Sequence, residues 1–271
     1  MRATTLRPSR GLGLAALVGI LLAGAPAAAA RSGVASLDRA LRADGFYAGP
    51  DLRPEAAVEI GAAHRSLGSR TLRRGAAGFD VAELQLALAW HGFPSGPIDG
   101  RFGTQLRTAL RGFHRAEARP ADGVAGAATL AALRRAPEAI PIPLVWPVLA
   151  PVGDGFGPRG DRFHAGIDLV APSGTAVLAA APGRVTWAAP RAGGWGNLVT
   201  IAHGHGVRTM YAHLSSIAVA VGQWVSGGTV LGDVGATGDA TGPHLHFEVR
   251  VAGAAVDPLR ALVPLTASSS G

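Results

Sequence analysis

The stretch Gly242-Pro243-His244-Leu245-His246-Phe247-Glu248-Val249-Arg250-Val251 has the strict alternation of a β-strand. One face carries Leu245, Phe247, Val249 and Val251, and the other carries His244, His246, Glu248 and Arg250. The apolar face predicts a strand that anchors a core. The polar face presents two imidazoles about 7 Å apart, because a strand rises roughly 3.3 Å per residue. That spacing lets one histidine bind a metal ion while the other acts on a water beside it.

Metal-ligating residue types also lie upstream, in His164-Ala165-Gly166-Ile167-Asp168. Gly166 argues against a helix, and extended backbone would place His164 and Asp168 on one face. Two histidines and a carboxylate are donors that zinc accepts, and three protein ligands leave a fourth position for water, as in catalytic sites. The chain has no HExxH motif and hence no helical glutamate base. A neutral histidine, with a pKa of about 6.5, can take that role.

Residues 146–265 are predicted to form a mainly antiparallel all-β domain, because short strand-like runs alternate with turn residues there. The metal-ligating residue types make it the predicted catalytic domain, with a metal groove. The runs are 175–178, 183–187, 198–202, 206–210, 229–231 and 244–251. Acidic and basic residues balance at seven each between residues 140 and 271, so no basic groove is expected.

The composition of the 271-residue chain excludes several classes of site. It has no cysteine, which excludes disulfides, thiolate metal ligands and a cysteine nucleophile. All 25 basic residues are arginine, and alanine and glycine are abundant. We interpret this as genome composition rather than nucleic-acid recognition, and we expect no nucleic-acid partner. The sequence gives no prediction of oligomeric state.

Residues 1–30 have the features of a signal peptide. A basic start with Arg2, Arg7 and Arg10 precedes an apolar run at 11–22, which is too short to span a bilayer, and Ala28-Ala29-Ala30 offers a cleavage site. The alternative is an uncleaved membrane anchor. Cleavage would lower the formal net charge from +7 to +4. We therefore expect a secreted protein of the periplasm or cell wall, with no membrane association after cleavage.

Residues 72–135 are predicted to form a small three-helix domain. Asp80 and Glu83 have the spacing of a capping box, and Gly92 is a C-terminal helix stop. The stretch resembles type 1 peptidoglycan-binding domains through Leu72-Arg73-Arg74-Gly75, Leu84-Gln85, Gly96-Pro97-Ile98-Asp99-Gly100-Arg101-Phe102-Gly103 and Asp122-Gly123-Val124-Ala125-Gly126. The resemblance implies that the partner is bacterial peptidoglycan.

Residues 31–71 are poorly defined by the sequence. One pattern occurs twice, 47 residues apart: first as Leu37, Leu41 and Gly45-Phe46, and then as Leu84, Leu88 and Gly92-Phe93. Either the segment is a decayed copy of the helical domain or the match arises by chance. A separate hypothesis is that residues 31–71 are autoinhibitory. Residues 136–145 are predicted to be a proline-rich linker, and residues 266–271 a loose tail.

Residues 146–258 resemble the M23 family of zinc metallopeptidases, the lysostaphin and LytM-type peptidoglycan endopeptidases. The matching stretches are Gly155-Phe156-Gly157-Pro158-Arg159, His164-Ala165-Gly166-Ile167-Asp168, Gly194-Trp195-Gly196-Asn197, Tyr211-Ala212-His213-Leu214-Ser215 and Thr241-Gly242-Pro243-His244-Leu245-His246-Phe247-Glu248. The resemblance implies one Zn²⁺ bound by His164, Asp168 and His246, with His213 and His244 flanking the water. We prefer His244 as the general base, with His213 orienting water or stabilising the oxyanion; the opposite assignment fits the sequence nearly as well.

The predicted function is a secreted zinc endopeptidase that hydrolyses peptide cross-links of peptidoglycan and is targeted to the wall by its helical domain. The alternative is a non-catalytic M23-like regulator that binds the wall and activates an amidase. Retention of all three ligands and both auxiliary histidines favours the enzyme. A cupin metal motif fits poorly, because Glu248 follows the second histidine by only two residues. The resemblance implies that the bond cut is a glycine bridge or a D-alanyl to diamino-acid cross-link, and the helical domain favours the second.

Overall fold

The computed structural model describes residues 30–49, 57–60, 65–137 and 139–263. Residues 1–29 of the predicted signal peptide and the predicted tail lie outside these ranges. The helical part consists of β1 (Ala30–Gly33), α1 (Val34–Ala43), β2 (Ala57–Ile60), α2 (Phe79–Trp90), α3 (Thr104–Ala116) and α4 (Ala127–Leu133). Within the described ranges, no helix has the length and apolar character needed to cross a membrane.

The helical part contains four described α-helices: α2, α3 and α4 lie within residues 72–135, where three were predicted, and α1 precedes them. Leu37 and Leu41 of α1 are fully buried in the same apolar core as Leu84 and Leu88 of α2. The predicted fold class, a helical N-terminal part followed by a β part, is confirmed, and the helix count is approximate. The segment before residue 72 therefore contributes to the helical core.

Helices α1 and α2 end in the same way. The N–H of Phe46 bonds to the carbonyl of Leu41, and 47 residues later the N–H of Phe93 bonds to that of Leu88. The glycine before each phenylalanine has a left-handed φ, +74° at Gly45 and +83° at Gly92. A glycine in this conformation ends helices by satisfying their last carbonyls. The 47-residue match in the sequence thus corresponds to the same kind of helix ending at both places. That residues 31–71 are a decayed copy of the helical domain stays a prediction.

The predicted capping box at Asp80 and Glu83 is wrong. Within residues 65–137, α2 begins at Phe79 and no side chain caps it. The buried carboxylate of Glu83 accepts the N–H of Leu67 at 2.6 Å, and Asp80 pairs with Arg70 at 2.7 Å. Burial raises the pKa of Glu83 to about 7, although the bond from Leu67 opposes that shift. Both acids therefore hold the segment that precedes the helix.

The β part consists of short strands joined by turns. They are β3 (Leu144–Val145), β4 (Gly157–Arg159), β5 (Arg162–His164), β6 (Ile167–Leu169), β7 (Ala176–Leu178), β8 (Gly183–Arg191), β9 (Gly196–Ala202), β10 (Val207–Leu214), β11 (Ser216–Ile217), β12 (Trp224–Val225), β13 (Val230–Asp233), β14 (Leu245–Val251), β15 (Ala254–Val256) and β16 (Leu262–Val263), with a 3₁₀ turn at Pro258–Arg260. The predicted linker thus ends in a strand, and the proposed domain boundaries stay predictions.

One antiparallel sheet organises the β part. Between residues 139 and 263 its strands run in the order β12-β8-β9-β10-β14-β15, with β6 also paired to β14. A smaller antiparallel sheet runs β11-β13-β7, and β16 pairs with β3 in parallel. Leu245, Phe247 and Val249 of β14 are fully buried in the main core, as the alternation predicts. Burying each of these side chains stabilises the fold by about 1.5–3 kcal/mol, so the apolar face fixes β14 in the core. The opposite face of β14 carries His246.

The helical part contacts the β4–β5 hairpin, which ends in His164. Trp90 at the end of α2 packs edge-on against Phe163, with ring centroids 5.1 Å apart, and lies 6.2 Å from Phe156. The N–H of Ile98 donates to the carbonyl of Asp161 at 2.7 Å. The hairpin is therefore held against the helical part.

Candidate metal centre

His164, Asp168 and His246 converge although 82 residues separate the first from the last. His164 Nε2 lies 2.9 Å from His246 Nδ1 and 3.2 Å from Asp168 Oδ1, and His246 Nδ1 lies 2.8 Å from Asp168 Oδ1. Strand register causes this, because Asp168 of β6 pairs directly with His246 of β14. Gly166 permits the close approach, since a Cβ there would lie 2.4 Å from the carbonyl oxygen of Phe247.

The donor set fits a small divalent cation. Each of the three buried residues offers one ligand atom, and these atoms lie within 4.8 Å of one another. Tetrahedral zinc with bonds of about 2.0–2.1 Å separates its donors by about 3.3 Å. The three atoms already lie close to that spacing, so a cation can be bound with little rearrangement.

Each of the four histidines around this cluster bonds to a protein acceptor through one ring nitrogen. The acceptors are the carbonyls of Gly155 for His164 (2.8 Å), Thr237 for His213 (2.8 Å) and Gly242 for His244 (2.9 Å), and Oε1 of Glu248 for His246 (3.3 Å). A neutral imidazole that donates from one nitrogen offers a lone pair on the other. With a cation in the cluster, these outer bonds would assign the tautomers and leave the second nitrogen of each ring as an acceptor.

A β-bulge brings His213 to the cluster. Strand β10 pairs regularly with β9 as far as Tyr211, and the register shifts before Leu214. His213 has φ +63°, in the left-handed region that non-glycine residues rarely adopt. Its ring centroid lies 4.8 Å from that of His244 and 5.8 Å from that of His246. Backbone strain of this kind concentrates at functional sites.

Charge is distributed so that a cation is favoured at His246. Burial alone would raise the pKa of Asp168, but hydrogen bonds from His164 and His246 hold that pKa well below its ordinary value. Burial alone would lower the pKa of His246, but Asp168 and Glu248 raise it to about 9. Burial lowers the pKa of His213, which is therefore neutral at pH 7. The protonated His246 occupies the place where a bound metal would supply the positive charge.

An open cavity of about 470 Å³ lies over the cluster. It is lined by Asp168, His213, His244 and His246 together with Asp154, Arg159, Asp239 and Thr241. All of these residues belong to the β part, so the described segment 30–49 does not line the cavity. Substrate can therefore approach the cluster from solvent.

His203 and His205, whose spacing resembles that of the metal-binding pair, lie outside the cluster. His203 uses both ring nitrogens within the fold, against the carbonyl of Pro182 at 2.7 Å and Thr209 Oγ1 at 2.8 Å. His205 is exposed in a turn, with φ +58°. Their surroundings match the prediction that they are packing and surface residues.

The sequence allowed two roles for Glu248, support of a metal ligand or a plain surface position. In the structure its carboxylate contacts His246. It is buried, and its second oxygen accepts Nε–H of Arg250 at 2.9 Å. We expect Glu248→Gln to weaken Zn²⁺ affinity by about 10- to 100-fold, because the neutral amide makes His246 a poorer donor. Competition with a chromophoric chelator measures this. Asp233→Asn, whose carboxylate bonds Ser216 elsewhere in the β part, should bind zinc normally; equal affinity in both variants would rule out the role of Glu248.

Two family matches cover most of the described chain. Residues 162–258 match peptidase family M23, and residues 78–133 match a putative peptidoglycan binding domain. The chain is 52% identical over 103 residues to the DD-carboxypeptidase/endopeptidase Mpg of Neisseria meningitidis, covering 38% of this chain and 24% of that protein. It is 37% identical over 117 residues to the murein hydrolase activator NlpD of Salmonella dublin, covering 43% and 30%. The chain thus spans less than a third of the length of either curated relative.

Among solved structures, the catalytic domain of lysostaphin from Staphylococcus simulans is similar, with 34% identity and a TM-score of 0.38. The similarity covers 41% of this chain and 90% of that domain. The matched M23 region contains all five histidine and aspartate residues of the cluster and its flanks. The chain therefore contains a peptidase family M23 domain at residues 162–258, preceded by a region, residues 78–133, that matches a putative peptidoglycan binding domain.

Proposed function

We propose that the protein is a zinc-dependent endopeptidase that hydrolyses the peptide cross-links of bacterial peptidoglycan. The observation that carries this proposal is the buried set of three donors, His164, Asp168 and His246, flanked by His213 and His244. One Zn²⁺ held by the three donors would polarise the scissile carbonyl and lower the pKa of water from about 15.7 towards 7. An open cavity above the cluster supports a site for substrate rather than a closed structural site.

His244 and His213 manage the proton in this proposal. His244 shares β14 with His246, and its Nε2 lies 3.7 Å from Asp168 Oδ1, so we assign it as the general base that later protonates the leaving amine. His213 donates from Nδ1 to Thr237 and is neutral, so its Nε2 can accept a hydrogen bond from water. In this tautomer it has no proton to give an oxyanion, which supports a role in orienting water.

We also propose that the helical part holds the enzyme on peptidoglycan in the cell envelope, after export and cleavage at the predicted signal peptide. The match of residues 78–133 to a peptidoglycan binding domain supports this. We propose that the bond cut is the D-alanyl to diamino-acid cross-link, because the proposed wall-binding part is a helical peptidoglycan-binding domain.

A second candidate is a regulator that activates an amidase, and the similarity to an activator protein favours considering it. Purified protein incubated with isolated sacculi separates the two, with released fragments identified by mass spectrometry. We expect cross-linked dimers to become monomers without any added amidase, and a chelator to stop the conversion. Stable cross-links, together with faster cleavage by an added amidase, would instead support the regulator.

A further inference from the structure

The sheet face that carries His246 continues beyond the metal cluster as a cross-strand row. Glu248 and Arg250 share this face because residues two apart on a strand point the same way. Directly paired residues on neighbouring strands also share a face. The pairing runs from Arg250 through Arg208, Ala202 and Arg184 to Trp224. The row therefore crosses β14, β10, β9, β8 and β12.

A bulge in β8 adds Trp187 to the same face. Arg184 pairs with Ala202 and Trp187 pairs with Thr200, and the register shifts between these pairs. Ala202 and Thr200 point the same way along β9, so their partners do too. Trp224 is 64% exposed and Trp187 is 38% exposed, which is unusual for such large rings. We name this set of four residues the Arg/Trp row; its members are Arg184, Arg208, Trp187 and Trp224.

The dimensions of this surface suit an extended ligand. Neighbouring strands lie about 4.8 Å apart, so the four steps from β14 to β12 span about 19 Å. The four residues from His246 to Arg250 add about 13 Å along the strand. A cross-linked strand can therefore place one bond at the cluster and its flanking peptide and sugar over the Arg/Trp row.

Arginines lie at both ends of this face. At the metal end, the cavity is lined by Asp154, Asp168 and Asp239 and also by Arg159, which pairs with Asp154 at 2.8 Å and with Asp168 at 3.2 Å. At the other end, Glu248 is paired with Arg250 at 2.8 Å, and the exposed Arg208 forms no ion pair with any residue in the described ranges. Folding brings Arg184, Arg208 and Arg250, which come from three strands, into one line across the sheet.

At its β14 end the row meets the helical part. Arg250 lines a cavity of about 490 Å³ together with Gln105 and Thr108 of α3. The end of this line at Arg250 thus borders the part of the chain that matches a peptidoglycan binding domain.

We propose that the Arg/Trp row is a second substrate subsite, which binds the carboxylate-bearing peptide and adjoining sugar of a peptidoglycan strand whose cross-link lies at the metal cluster. The proposal rests on the proposed function. The forked guanidinium of arginine is suited to carboxylates. An exposed indole presents a flat apolar surface to the C–H face of a sugar ring.

Binding of a soluble cross-linked disaccharide-peptide dimer to the full chain tests this. The measurements use His246→Ala as the parent, so that the ligand stays intact. We expect Arg208→Gln to weaken binding roughly fivefold at low salt, a difference that disappears when the ligand carboxylates are amidated or in about 0.5 M salt. We expect Trp224→Ala to weaken binding of this dimer but not of a sugar-free peptide dimer.

Arg260→Gln is the matched control, because Arg260 is exposed in the 3₁₀ turn and lies outside the row. It should bind the dimer as the parent does. Equal affinity of Arg208→Gln, Trp224→Ala and the parent for the intact dimer would overturn the subsite. Hydrolysis by the wild-type chain is measured separately, so a protein that binds through the row without cleaving contradicts the proposed function and leaves the subsite standing.

Discussion

His246→Ala is expected to abolish cross-link hydrolysis, with turnover falling at least about 10³-fold. The substitution removes one of three metal donors and leaves the Asp168 carboxylate without the partner 2.8 Å away. Loss of the ion removes several kcal/mol of transition-state stabilisation. The same variant should lose bound zinc. Conversion of a purified cross-linked dimer to monomers, with zinc analysis of the same sample, measures both effects.

His203→Ala is the matched control for this substitution. It removes a half-buried histidine of the same β part whose ring nitrogens bond Pro182 and Thr209 and take no part in the cluster. We expect a lower melting temperature, because two hydrogen bonds are lost, with normal zinc content and turnover. Wild-type turnover in His246→Ala would show that the cluster is not the catalytic metal site.

His244→Ala is expected to keep its zinc and lose about 10²- to 10⁴-fold in turnover. The variant removes the proposed general base but none of the three donor atoms, and proton transfer by a positioned side chain is worth that range. Turnover of the same dimer, measured beside zinc content, separates this variant from His246→Ala. His213→Ala, which removes the residue proposed to orient water, should retain more activity than His244→Ala.

The comparison of these two variants decides the roles of the two histidines. A larger loss in His213→Ala than in His244→Ala would reverse the assignment, since both rings leave Nε2 as an acceptor. Loss of zinc from His244→Ala would contradict its proposed role more strongly, because it would make His244 a ligand.

Local sequence patterns were sufficient to predict the longer strands of the β part. The alternation in 244–251 identified β14 and its buried face, and the other strand-like runs correspond to β7, β8, β9, β10 and β13. Such patterns are reliable where one face of a strand is buried, because apolar and polar residues then alternate along the sequence. The pairing of Asp168 with His246 depends on register between distant strands, so only the family resemblance could suggest it.

Other features depend on contacts that a local pattern does not contain. A bulge turns His213 towards the cluster, although simple alternation after Ala212 would point it away. Asp80 and Glu83 have the spacing of a cap, but buried bonds to Arg70 and Leu67 use their carboxylates instead. The Arg/Trp row likewise arises only when five strands are aligned.

The most direct test of the metal centre is anomalous diffraction from crystals of the zinc-loaded chain, with data on both sides of the zinc absorption edge. We predict one anomalous peak per β part, about 2.0–2.2 Å from His164 Nε2, His246 Nδ1 and an oxygen of Asp168. A peak at other residues, or the three side chains pointing away from a common position, would contradict the central claim.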